Sequence, residues 1–177
     1  LGMIGFGGCV RGMLGYLPLY LRNEGWPVAH ADGALATFHA VSMAGVLLIT
    51  YLSDKLRRRK LILIIGAGFM ATGAGLLSVA QGAGVWGSVI LAGMIRDGFM
   101  AVYMTRIIET KGIGPHVAGT AVGFAGMFTA VSSLFSPPAG NSLAAISPQA
   151  PFVFWMALGL FGLVSLLFLK EPRRAAV

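Results

Sequence analysis

At 177 residues, 56% of them hydrophobic and 11% charged, with a mean hydropathy of +0.82, the chain carries too little polar surface for a soluble domain. Its formal net charge of +7 would suit a nucleic-acid binder. Most of the basic residues stand instead in short segments between apolar runs, the pattern of basic inner loops in membrane proteins, so no nucleic-acid partner is expected. An all-α polytopic membrane protein is the class that remains.

Six spans are expected, at about 1–21, 34–53, 61–80, 85–105, 117–138 and 152–169. Each is close to the roughly twenty residues that cross an apolar bilayer core of about 30 Å as a helix. The first begins at Leu1 with no basic n-region before it and no small-residue cleavage site after it. It is therefore read as a span of a longer protein and not as a signal peptide. It carries Arg11 near its middle and the single cysteine, Cys9, which is expected to pack between helices; no disulfide or cysteine metal cluster follows. A polar loop holds Trp26, suited to a membrane interface, and Asp32 is placed to cap the second span, which contains His39.

Between the second and third spans lies a knot of charge, Asp54-Lys55-Leu56-Arg57-Arg58-Arg59-Lys60. The third span is studded with Gly66, Gly68, Gly73 and Gly75, and Gln81 to Gly84 turn the chain into the fourth. There Arg96-Asp97 interrupts an apolar run, and a polar loop from Arg106 to His116 follows, with Glu109 and Lys111. The fifth span reaches Pro137-Pro138, with a bent continuation to about Ala145 as the alternative end. The sixth closes on Lys170-Glu171-Pro172-Arg173-Arg174.

Alternation places the knot, the loop with Arg106 and Lys111, and the tail on one face, and these segments hold ten of the thirteen Lys and Arg residues. The opposite face holds Arg22, and Arg11 and Arg96 are intramembrane. The basic face is expected to be cytoplasmic, with both ends of the chain on the cytoplasmic side of the cell (plasma or inner) membrane.

Six spans with this topology and this knot resemble one half of a major facilitator superfamily transporter. The family's loop pattern reads Gly-x-x-x-Asp-(Arg/Lys)-x-Gly-x-(Arg/Lys)-(Arg/Lys). Here Thr50, Asp54, Lys55, Arg57, Arg59 and Lys60 stand at its positions, with both glycines replaced. The tail closing after span six, and Ala118-Gly119-Thr120-Ala121-Val122-Gly123 with Ser136-Pro137-Pro138-Ala139-Gly140, resemble the C-terminal half. The resemblance implies a secondary transporter, a symporter or antiporter, without a cofactor and not an enzyme. It also implies a partner in the form of a missing N-terminal six-helix half, and a proton or ion as candidate coupling partner.

Two arginines at mid-membrane depth are expensive unless paired or hydrated. The resemblance makes their spans cavity-lining, so Arg11 and Arg96, with the Tyr16 hydroxyl, are candidate ligands for a small anionic substrate, since guanidinium binds carboxylate or phosphate as a fork. The alternative is that Asp97 neutralises Arg11 or Arg96 inside the bundle. Asp97 is also a candidate proton-coupling site, though a salt-bridged carboxylate stays ionised. His39 reads as a satisfied bundle histidine before a proton relay.

The resemblance implies a gating loop of Asp54, Lys55, Arg57, Arg58, Arg59 and Glu109, in which Asp54 latches one end of the transport cycle. Glu109 is expected to join through Arg57 or Arg58. Apart from the resemblance, the basic side chains have topology and anionic headgroups to serve. Gly119, Gly123 and Gly126 are expected to let helices approach closely. An intramembrane enzyme is disfavoured, because Asp97 is the one intramembrane acid and neither Gly-x-Ser-x-Gly nor His-Glu-x-x-His occurs. A non-transporting scaffold or receptor, or a decayed half-transporter, is the remaining alternative.

Overall fold

The computed structural model describes residues 1–56, 58–110 and 112–169, so that Arg57, Lys111 and the basic tail from Lys170 lie outside the described residues. The described residues form six α-helices and no strand: α1 Gly2–Asn23, α2 Val28–Leu56, α3 Arg59–Leu76, α4 Ala83–Ile108, α5 Pro115–Ser142 and α6 Ala150–Leu167, with a 3-10 turn Leu143–Ala145 after α5. Helices α2 to α6 are long and apolar enough to cross a membrane. α1, at 22 residues, reaches about 33 Å but is diluted by Arg11 and six glycines.

Short links between successive helices make them alternate in direction. α1 packs on α5 and α6 and touches α2 and α3, while α4 joins α2 to α3 and α3 closes on α6. Glycine permits the tight crossings. Gly45 of α2 lies against the Met94 carbonyl of α4, Gly98 of α4 against Ile49, and Gly5 of α1 against Leu158 and Gly162 of α6. Gly12 and Gly140 both face the Trp155 indole, leaving no room there for a methyl group. Serines sew α5 to α1: Ser132 donates to the Ile4 carbonyl, and Ser136 to the Gly8 carbonyl at 2.7 Å. The Trp155 Nε1–H then donates to the Ser136 carbonyl at 3.3 Å, tying in α6.

Several boundaries differ from the sequence expectation. α2 starts at Val28, where the Pro27 carbonyl accepts from the His30 and Ala31 amides at 2.9 and 3.0 Å. Proline favours a helix start because it has no N–H to satisfy. Asp32 therefore lies inside the helix and is no cap; it bridges to Arg22 at 2.6 Å. α3 begins within the knot at Arg59 and ends at Leu76, four residues short of the expected Ala80, and α5 runs through Pro137-Pro138 to Ser142. α6 sits two residues earlier than expected at either end, over Ala150–Leu167. Gly119, Gly123 and Gly126 meet nothing within 4 Å, which corrects the expectation that they pack helices within this bundle. They stand on a helix whose apolar stretch is only 6% buried.

Candidate functional site

Charge inside the bundle is the feature that apolar packing does not explain. On α1 the buried face carries Val10, Met13 and Leu17, while Arg11, Gly15 and Leu19 recur at four-residue spacing on the exposed side. No hydrogen bond or ion pair engages Arg11 among the described residues, and a Cβ at Gly15 would meet open space. The turn below it is seated by Gly12 against Trp155, so the Arg11 backbone is held while its side chain stands free.

Arg96 is placed differently. Its Nη1 donates to Asp97 Oδ1 at 2.6 Å, and the Asp97 amide donates to Ser42 Oγ of α2 at 3.1 Å. Of the two pairings left open by the sequence, Asp97 takes Arg96. The Phe6 and Phe99 rings stack at 3.7 Å between centroids, which sets α1 against α4 in depth. From that stack Arg11 lies five residues on and Arg96 three residues back. In helices of opposite direction both then stand on the same side of it, about 7.5 and about 4.5 Å away.

The two ring residues named with them stand elsewhere. Tyr16 is buried, donates its hydroxyl to the Pro148 carbonyl at 3.3 Å, and packs on Phe152 and Trp155. Its hydroxyl is occupied in fixing the link between α5 and α6, which speaks against a role in holding substrate. His39 is exposed, with its ring edge-on to Phe38 at 5.5 Å, so it is not the satisfied bundle histidine expected from the sequence. The ring lies on the outward arc of α2, because Phe38 and Ser42 take the packed arc.

At the other concentration of charge, Arg59 Nη2 reaches Glu109 Oε1 at 2.7 Å and Asp54 Oδ1 at 3.6 Å. Arg59 is the first residue of α3, where the helix dipole disfavours a cation, and carboxylates from the ends of α2 and α4 compensate it. The side chain of Arg59 is 22% exposed, against 45% for Glu109 and 72% for Asp54, so the Glu109 contact is the stronger. Glu109 was expected to pair through Arg57 or Arg58. Arg58 instead stands exposed ahead of the helix, and Arg57 lies outside the described residues. Lys55 lies 5.8 Å over the Tyr51 ring, and Lys60 donates to the Leu167 carbonyl at 2.7 Å, closing the end of α6. Arg106, assigned to a loop by sequence, is buried within α4.

Sequence reasoning missed the interhelical bonds of Ser42, Ser132 and Ser136. Their only signal was a hydroxyl in an apolar run, which fits interhelical bonding as well as solvent. Among the described residues no three His, Cys, Asp or Glu side chains gather as a metal site. A scan against protein families matches residues 1–137 to the model described as Major Facilitator Superfamily. A search of curated proteins found no match to the chain.

Proposed function

The chain belongs to the major facilitator superfamily, whose members are membrane transporters, and from that premise we propose that it forms the C-terminal six-helix bundle of a secondary transporter for a small anion. The observation that carries this reading is Arg11, a guanidinium on a seated helix, at mid-span, with no partner among the described residues. Such a charge is retained in a membrane where it faces a hydrated cavity or a ligand. A carboxylate or phosphate satisfies it through two parallel hydrogen bonds.

Arg96, neutralised by Asp97, serves here as an ion-pair partner that keeps α4 polar at the same depth without adding net charge. The poorly buried faces of α2 and α5 support docking of a second six-helix bundle, which would close a cavity over Arg11. Alternating access then consists of rocking one bundle against the other. Asp54, Arg59 and Glu109 lie at one end of that movement, where their bonds form or break as the ends separate. That end is cytoplasmic on the distribution of basic residues.

Uptake of a panel of labelled anions by the transporter in reconstituted vesicles tests the proposal. Saturable uptake of one anion that Arg11→Gln abolishes is the expected result. A panel without uptake by the inserted wild type, or an Arg11→Gln variant with unchanged uptake, would overturn it.

A further inference from the structure

At the end of the bundle opposite the basic knot, a cavity of about 340 Å³ opens between the end of α1, the α3–α4 turn and the start of α6. Its size falls in the range of small-molecule sites. Tyr20, Glu24, Trp26, Gln81 and Gln149 contribute the polar and aromatic part of its wall. No residue of α2 or α5 lines it, so it lies apart from the faces left open for a second bundle.

The local fold explains how these groups converge. α1 ends at Asn23 with Glu24 as its C-cap, and Gly25, at φ +84°, reverses the chain so that the Trp26 amide donates back to the Leu21 carbonyl at 3.0 Å. Trp26 is thereby folded over the start of α4, its ring 6.2 Å from that of Trp86. Tyr16, bonded to the Pro148 carbonyl, holds the neighbouring Gln149 at the opposite wall.

Electrostatics identifies the ligand class. Asp32, Asp54, Asp97 and Glu109 each pair with an arginine, and Glu24 alone among the described carboxylates has no partner. It stands at a helix C-terminus, where the dipole disfavours a carboxylate. α4 and α6 begin nearby, but the Gly84 and Val85 amides donate to the Gln81 and Gly82 carbonyls at 3.0 and 3.3 Å, and the Ala150 amide to the Ser147 carbonyl at 3.1 Å. One unpaired carboxylate, the Trp26 ring and the side-chain carbonyls of Gln81 and Gln149 together suit a cation with an apolar shell. We infer that this cavity is a peripheral binding site for a small organic ammonium ion, distinct from the anion site and independent of the transport reading.

Titration of tetramethylammonium chloride into the purified chain in detergent, followed by tryptophan emission, tests this directly. Sodium chloride at equal ionic strength is the control. The wild type is expected to respond saturably to tetramethylammonium alone, and Glu24→Gln to need about tenfold more of it, given the loss of the charge contact. Trp26→Phe is expected to lose the emission change, and Arg11→Gln to keep it. A wild-type response no larger than that to sodium chloride would overturn the assignment. So would an unchanged midpoint in Glu24→Gln, or an emission change that survives in Trp26→Phe. Failure of the anion reading registers in Arg11→Gln uptake and leaves this titration untouched.

Discussion

Arg96 and Asp97, consecutive residues of α4, close an ion pair on each other, Nη1 to Oδ1 at 2.6 Å. Neighbours in a helix point about 100° apart, so the long arginine side chain must swing toward the shorter carboxylate for the pair to form. The consequence is local neutrality on α4, with the Asp97 amide anchored on Ser42 of α2. It leaves Arg11 as the guanidinium at that depth without a counter-charge among the described residues.

Breaking that pair from one side should be worse than removing it whole. Arg96→Gln leaves a carboxylate about one-third exposed (34%) with its cation gone, a loss of about 1–2 kcal/mol once partial solvation is allowed for. Arg96→Gln combined with Asp97→Asn should recover most of the loss. Thermal unfolding of the two variants in detergent checks this, and equal melting of both would show that the pair does not couple them.

Crowding predictions separate the packed glycines from the open ones. Gly45→Ala drives a methyl into the Met94 carbonyl and should destabilise the α2–α4 contact by about 1–3 kcal/mol. Gly123→Ala, in open space on α5, should not lower the melting temperature of the chain and should raise it slightly, since alanine favours a helix interior over glycine. Gly123→Leu should also spare the fold while lowering uptake, because it thickens the face assigned to the second bundle. Melting and uptake measured on the same preparations distinguish the two effects.

Arg59 should matter for movement more than for stability. Its bonds to Glu109 and Asp54 are partly exposed, so Arg59→Gln should cost at most about 1 kcal/mol in unfolding. The same change should alter the exchange between inward- and outward-open forms, read as a changed ratio of influx to efflux rates. A large loss of melting temperature with an unchanged ratio would make the cluster purely structural.

Much of the architecture was legible in the chain because its signal is coarse. Runs such as 61–80 and 85–105 match the bilayer thickness, and the loop pattern around Asp54 points to the same family as the match over residues 1–137. Finer placement failed where a local residue overrode hydropathy. Pro27 starts α2 ahead of Asp32, and Arg59 opens α3 inside the charged knot. Periodicity also does not say which helix a face meets. Gly119, Gly123 and Gly126 have the spacing of a packing seam yet face open space, while isolated Gly45 and Gly98 carry the tight crossing. Arg11 and Arg96 looked alike in sequence, because only side-chain geometry distinguishes a paired guanidinium from a free one.

The central claim is that Arg11 recognises the anion and that Arg96 does not. The most direct test compares uptake of the transported anion by Arg11→Gln with that of the Arg96→Gln/Asp97→Asn double variant, at equal membrane insertion. The account predicts at least about a tenfold fall for Arg11→Gln, as expected when a charge-assisted contact of about 1.5–3 kcal/mol is lost, with uptake retained in the double variant. Retained uptake in Arg11→Gln together with its loss in the double variant would contradict the account and move the anion site to α4.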